Sequence, residues 1–362
     1  MAPKRMNGVR TGASFRLWCV LILLVIGGCS ATDSPEARFD DYLSRLARTL
    51  DVSSPSSQAP PRLRYPDKRS LQLVIETPRT GWIGLFQLHR CGLVNLVSER
   101  NSILGRVAPP QDRLAYESRL LAGLKQCRTE LDSKEDTADD RDLRRQLDAL
   151  IEIKRRAVPR IFWNLTLADD AMAHLFSVAP PPLGLKASAL GRASRQALTR
   201  LADAGRTLAE GGLLDASALS KSYEILEGST YGGQLQSAAL VAVARLDAAT
   251  AMLQQRMARR PICFNAQPNR RARTLYTILR EVYGPNVQSY LADLVRAGRE
   301  WRAAVASLVD AQQVAPRPAF TAYETRTLSA KTGVWAALDT AIVRHTKSWQ
   351  DAMGQCNLMP GE

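Results

Sequence analysis

The chain has 362 residues, is 45% hydrophobic and 6% aromatic, and carries a formal charge of +14 from 49 basic and 35 acidic residues. That apolar content supplies a sizeable core and excludes an intrinsically disordered chain. The positive excess is uneven: residues 29–180 hold 23 basic and 21 acidic side chains, residues 181–362 hold 22 and 14, so an anionic partner is expected to meet the second half.

Lys4, Arg5, Arg10 and Arg16 precede an apolar run from Leu17 to Ile26, and Gly27-Gly28-Cys29 follows. A basic front, a short apolar run and small residues read as a secretory signal peptide over residues 1–28. The run is shorter than the roughly 20 residues that a membrane span needs. Ile26-Gly27-Gly28-Cys29 resembles the bacterial lipobox, which implies acylation of Cys29. Each buried CH2 contributes about 0.8 kcal/mol, so several acyl chains would hold the protein permanently on a membrane. Ser30 stands where an inner-membrane retention signal would have Asp, which directs the expectation to the periplasmic face of the outer membrane. There the expected partners are the membrane itself and an envelope protein, lipopolysaccharide or peptidoglycan, not nucleic acid. No cofactor is expected.

Residues 29–36 form a short tether. Phe39, Leu43, Leu46 and Leu50 recur at helical spacing and predict a first helix. Ser53 to Pro66 is rich in Pro and Ser and reads as loop, and Leu71 to Ile75 as an extended segment. A helix is predicted from Trp82 to Leu104, ended by Gly105. A second runs from Asp112 to Leu131, with Tyr116, Leu120, Leu124, Cys127 and Leu131 on one face. Thr129 to Asp142 reads as an acidic, solvated connection, and Leu143, Leu147, Leu150 and Ile151 mark a further helix up to Pro159. Ala179-Pro-Pro-Pro-Leu-Gly184 is the sharpest break. It places a linker at 179–186 between helical subdomains at 37–178 and 187–362.

The second half carries four helical stripes. Leu190, Ala193, Ala197, Leu201, Ala204 and Leu208 form one, stopped by Gly211-Gly212. Leu235, Ala239, Ala242, Leu246, Ala249 and Leu253 form another, whose small residues permit close helix approach. Leu291, Leu294, Gly298, Trp301, Val305 and Leu308 form a third, and Trp335, Leu338, Ile342, His345, Trp349 and Ala352 the last. The fold class expected is all-α: an elongated helical bundle in two subdomains.

Cys19 lies in the signal segment and Cys29 takes lipid, leaving Cys91, Cys127, Cys263 and Cys356. An even number in an oxidising compartment predicts two disulfides. Three connectivities exist. Cys91–Cys127 with Cys263–Cys356 is the favoured one, because each bond then stays within one half. There is no C-x-x-C, and His89, His174 and His345 are scattered, so no metal site is expected.

Three groups of residues stand out as candidate sites. Glu99-Arg100-Asn101-Ser102 concentrates polar groups at a helix end, either as a binding cluster or as a network that caps the helix. His345 lies on an apolar stripe, where a buried imidazole with a hydrogen-bond partner is the default and proton transfer the alternative. Arg256, Arg259, Arg260, Arg270, Arg271 and Arg273 crowd the connection around Cys263 and form a candidate anion-binding surface, since guanidinium forks match phosphate and carboxylate. Gly232-Gly233 does not open a phosphate loop, because no strand precedes it and no Lys-Ser/Thr follows. No catalytic residue is assigned.

Several blocks occur together in order: Arg64-Tyr65-Pro66, Leu88-x-x-Cys91-x-Leu93, Glu99-Arg100-Asn101-Ser102-x-Leu104-Gly105, Tyr116-Glu117 and Cys127. Near the end, His345-x-x-x-Trp349-Gln350 leads to Gln355-Cys356-Asn357-Leu358-x-Pro360. Over nearly the whole chain after the signal segment these resemble the Gram-negative lipoproteins grouped as domain of unknown function 3080. Asn357 stands where that family is expected to have Gly. The resemblance implies a periplasmic lipoprotein and no mechanism. The functional expectation is a binding or scaffolding protein of the cell envelope. The alternatives are a hydrolase acting on peptidoglycan or lipid through the Glu99–Ser102 region or His345, and a lipid or lipopolysaccharide carrier with an apolar cavity.

Overall fold

A computed structural model describes residues 34–53, 63–76, 89–132, 137–184 and 186–358. The predicted signal segment, Cys29 and most of the tether lie outside them. Every regular element among the described residues is helical, and no helix there is long and apolar enough to cross a membrane.

The first helix, α1 (Pro35–Leu50), starts earlier than the sequence reading placed it. Ser34 caps it by accepting from the Ala37 amide at 3.1 Å, and Pro35 occupies a first-turn position where its missing N–H costs nothing. Phe39, Tyr42, Leu43, Leu46 and Leu50 are all buried. After the one-turn α2 (Lys68–Leu71) the chain is extended, and it needs no partner strand. The Asn164 side chain receives the Leu73 amide and donates to the Leu73 carbonyl, both at 2.8 Å. One amide side chain thus satisfies both backbone groups that a neighbouring strand would otherwise have to satisfy.

The predicted helix 82–104 differs from what is observed. Residues 82–88 lie outside the described set. Gly92 turns the chain with φ +66°, and two short helices follow, α3 (Val94–Asn101) and α4 (Ile103–Arg106). The break falls at Ser102, three residues before Gly105, because the Ser102 hydroxyl accepts from the Gly105 amide at 3.0 Å and restarts the helix.

α5 (Pro110–Asp132) and α6 (Ala138–Leu165) form an antiparallel hairpin, so the acidic connection is shorter than expected. α6 continues through Pro159 instead of ending there. The residues beyond the proline include Ile161, Phe162 and Trp163, all buried, and burying such side chains at about 1.5–3 kcal/mol each outweighs one missing backbone bond. The short α7 (Asp170–Leu175) and α8 (Ala187–Leu190) follow. Then come α9 (Arg192–Ala209), α10 (Ala216–Glu227) and α11 (Tyr231–Arg259). Leu190, expected on the first stripe of the second half, is exposed instead; α9 buries Ala197, Leu198, Leu201 and Ala202.

α12 (Arg270–Thr277) runs into a π-helical stretch, Ile278–Gln288, which contains Pro285, and on into α13 (Ser289–Asp310). α14 (Pro318–Thr327) and α15 (Gly333–Gly354) complete the fold. The central pair is α11 against α15. Leu235, Ala239, Ala242, Leu246, Ala249 and Leu253 on α11 are buried, as are Trp335, Leu338, His345, Trp349 and Ala352 on α15.

The buried side chains form two clusters whose border is not at 179–186. One runs from Phe39 to Cys356 and crosses that segment. The other is a satellite of Leu93, Tyr116, Leu120, Leu124, Cys127, Leu131, Leu143, Leu147 and Leu150. The Pro-rich segment is held on the large core: Leu183 is buried, its amide donates to the Gln234 carbonyl at 3.2 Å, and its carbonyl accepts from the Tyr290 hydroxyl at 3.3 Å. The disulfides are Cys91–Cys127, inside the satellite, and Cys263–Cys356, inside the large core.

Gly232-Gly233 serves the contact between α11 and the segment after α7. A Cβ at Gly233 would strike the Ser177 carbonyl, which is backbone and cannot rotate aside. Gly233→Ala is therefore expected to lower stability by about 1–3 kcal/mol, the usual range for overpacking. Gly354→Ala, with nothing within 4 Å of its Cβ position, is not expected to lower it. Urea unfolding of the two variants checks this, and a Gly233→Ala protein as stable as the parent would contradict the close approach.

Candidate functional site

The Glu99–Ser102 block forms the edge of a cleft of about 790 Å³. Its construction follows from the helix break. The Ser102 hydroxyl donates to the Glu99 carbonyl at 2.7 Å while accepting from Gly105. Arg100 reaches forward to the Gly105 carbonyl at 2.5 Å. Gly105 sits so close to the Glu99 and Arg100 carbonyls that a Cβ would collide with both. The block is thus a device that folds α4 back on the end of α3. Asn101 ends α3 exposed to solvent.

That fold-back turns apolar side chains outward. Ile103, Leu104 and Val107 are 84%, 81% and 74% exposed. Below this lip the wall of the cleft carries both signs of charge. Arg119 pairs with Glu99 at 3.1 Å, and Asp112, Arg113 and Asp215 also line it. Tyr116 is buried at the floor; desolvation first, then the neighbouring Glu117 carboxylate, push its phenol up to about 12, so it remains a neutral hydrogen-bonding group. Glu117 itself is held by Lys154 at 2.7 Å, both side chains being nearly buried. Leu214, Asp215 and Ala216, at the start of α10, form the opposite wall.

His345 does not join this cleft. It is fully buried in the large core. Tyr42 Oη lies 2.7 Å from its Nε2 and Thr250 Oγ1 lies 3.0 Å from its Nδ1. The Trp349 indole, which can only donate, shares its proton between Tyr42 Oη at 2.8 Å and His345 Nε2 at 3.1 Å, so Nε2 is an acceptor. The Tyr42 hydroxyl then donates to Nε2, and Nδ1–H donates to Thr250. Burial drives the imidazole pKa down to about 3, so the ring is neutral with both nitrogens occupied. The Tyr42 partner was not legible in sequence; its only signal was a place on the apolar face of α1.

The six arginines lie where α11 ends and α12 begins. Arg256 and Arg259 are in the last turn of α11, Arg260 caps it, and Arg270, Arg271 and Arg273 occupy the start of α12. The loop between is pinned by Cys263–Cys356, by the Ile262 amide donating to Gln355 Oε1 at 2.9 Å, and by Asn269 donating to the Ile262 carbonyl at 2.6 Å. Asn357, beside that disulfide, has φ +52°. This explains the expected Gly: the left-handed region suits Gly best and Asn next. Among the described residues no group of three or more His, Cys, Asp or Glu is arranged to hold a metal ion.

A family model described as protein of unknown function (DUF3080) matches residues 39–360. No curated protein and no solved structure matches the chain.

Proposed function

The chain belongs to this family, DUF3080, and from that premise we propose that it is a lipid-anchored protein of the cell envelope that binds a partner protein through the Glu99–Tyr116 cleft. The observation that carries the reading is the lip of Ile103, Leu104 and Val107, three neighbouring apolar side chains left largely in solvent beside a mixed-charge cleft that Leu104 and Val107 help to line. Exposed apolar side chains grouped together and bordered by polar ones mark a surface that another molecule covers. A polypeptide segment fits such a wall better than a polyanion does, because Glu99, Asp112 and Asp215 stand among the arginines.

Two facts favour binding over hydrolysis at the residues considered. Ser102 spends its hydroxyl proton on the Glu99 carbonyl, and His345 lies in the other cluster with both ring nitrogens engaged. Neither is positioned as a nucleophile or base.

A photo-crosslinking amino acid placed at Leu104 in living cells is expected to trap one discrete envelope protein. The same probe at Val343, 69% exposed on α15, should trap none. Absence of any adduct at Leu104 overturns the partner reading. The anchor has its own test. Cys29→Ala is expected to move the protein into the soluble fraction, and continued membrane fractionation would overturn the lipoprotein assignment.

A further inference from the structure

The two disulfides sit in different surroundings. Cys263 and Cys356 are both buried inside the large core. In the other bond Cys127 is buried as well, but Cys91 is only half-buried at the margin of the satellite cluster. Exposed residues flank it, Arg90 before and Gly92 after, and a Cβ built on Gly92 would meet no atom within 4 Å. Among the described residues, Cys91 is therefore the disulfide cysteine that a reactant in solution can approach.

Cys91 also opens the segment that builds one side of the Glu99–Tyr116 cleft, to which Glu99, Arg100, Ser102, Leu104 and Val107 contribute. Few other contacts attach that segment to the rest of the fold. Leu93 is buried against α5, in the space that a Cβ on Gly123 would need, and Leu96 and Val97 pack on the satellite. Beyond them, the hydrogen bonds of Arg100 and Ser102 stay inside the segment. The Arg119–Glu99 pair crosses to α5, but both side chains are exposed and water screens them. Arg90 pairs with Asp140 at the start of α6, which anchors the chain before the Gly92 turn and not the lip after it.

We infer that Cys91–Cys127 is a thiol-sensitive latch on the cleft: its reduction frees the α3–α4 lip and releases whatever the cleft holds, while the large core stays closed. The reductant is a dithiol, either a small molecule or a thiol–disulfide exchange protein. One of its thiolates attacks Cys91 Sγ, the approachable sulfur, and forms a mixed disulfide with it. The Cys91–Cys127 bond breaks, and Cys127 leaves as a thiolate that takes up a proton. The second thiol of the reductant then attacks its own sulfur in the mixed disulfide and expels the Cys91 thiolate, which is protonated in turn. Two electrons pass to the protein, giving two thiols, and the reductant ends as a disulfide.

The reaction stops there because Cys263–Cys356 offers no approachable sulfur until the core itself opens. The structural consequence is also local. Neither α3 nor α4 has a buried residue, so the lip loosens without exposing the large core, and reoxidation restores it. The release of a bound molecule rests on the reading of the cleft as a partner site; the selective reduction and the freeing of the lip do not.

The test treats the native, oxidised protein with dithiothreitol, quenches samples by alkylation and maps the modified cysteines by mass spectrometry. Cys91 and Cys127 are expected to be alkylated roughly tenfold or more faster than Cys263 and Cys356. In protein reduced only at the first pair, amide exchange across residues 94–107 should rise roughly tenfold or more, while α11 and α15 stay protected. In cells, the adduct formed by the probe at Leu104 should be lost on dithiothreitol treatment and return after reoxidation. Equal reduction rates, or earlier reduction of Cys263–Cys356, overturn the latch, as does unchanged exchange across 94–107. An adduct that persists once the lip is free overturns control of binding and leaves the partner reading standing. No adduct even in the oxidised protein overturns the partner reading alone, and the reduction rates and the exchange still decide the latch.

Discussion

Removing the Cys263–Cys356 disulfide is expected to destabilise the whole molecule, whereas removing Cys91–Cys127 loosens mainly one edge. The first bond closes a loop of 93 residues and the second one of 36. In the chain-entropy account these correspond to about 4.6 and about 3.8 kcal/mol of constraint on the unfolded chain. What separates them is the part of the fold each one holds. Cys263 and Cys356 are both buried in the large core, and their bond ties the end of α15 to the α11–α12 loop. Cys91 and Cys127 staple the turn before α3 to α5. Neither α3 nor α4 buries a single residue; the half-buried Leu96 and Val97 pack on the satellite cluster, and the lip beyond them depends on the staple. Cys263→Ala/Cys356→Ala should lower the unfolding temperature of the entire protein. Cys91→Ala/Cys127→Ala should give a smaller shift but a large rise in amide hydrogen exchange across residues 94–107. Unchanged exchange in that segment would show that the lip is held by other contacts. Equal global losses would show that the two clusters unfold as one.

His345→Gln is expected to be costly at neutral pH and progressively less so in acid. Three groups from α1, α11 and α15 meet the imidazole, and truncating such a site leaves buried polar atoms unmade, at about 1–3 kcal/mol each. The pH dependence follows from proton linkage. The folded-state pKa is lowered from 6.5 to about 3, so between those values the unfolded chain binds a proton that the native state refuses. Stability rises with pH there: the contribution of the neutral ring is complete above about 6.5 and is lost as pH falls toward 3. The slope is at most about 1.4 kcal/mol per pH unit. Glutamine has no such titration, so the stability gap between parent and variant should narrow by about 3 kcal/mol from pH 7 to pH 4. Urea unfolding at the two pH values measures it, and carboxylate effects common to both proteins cancel. A gap that does not change with pH would mean that the imidazole is reached by solvent or protonated in the fold.

Much of the architecture was legible because helical periodicity is local. The stripes on α11, α13 and α15 needed only the apolar positions at steps of three and four, and the residues so marked are buried almost throughout. The exceptions are informative. Leu190 belongs to the pattern but is exposed, because α8 and α9 are separate helices that meet at Gly191. Pro159 carries a stop signal but does not stop α6, because the turn beyond it is anchored by Trp163, whose indole donates to the Leu71 carbonyl at 2.8 Å. The Glu99–Ser102 block showed its polarity in sequence, but not the fold-back that makes it a lip: that depends on a hydroxyl choosing a backbone amide three residues ahead.

The sequence by itself determined the helical class and the apolar face of most helices, favoured one of three pairings of the four cysteines, and carried the motif order that resembles a family. Each of these rests on residues near one another in the chain, on composition, or on motif order. Only the tertiary structure decided that Tyr42 completes the His345 network from 303 positions away, that the core runs through the Pro-rich segment, and that the cleft opens against the start of α10. These depend on which helix faces meet. Periodicity tells a helix which face to bury, but the choice of neighbour is set by shape and by the hydrogen bonds that only contact can complete.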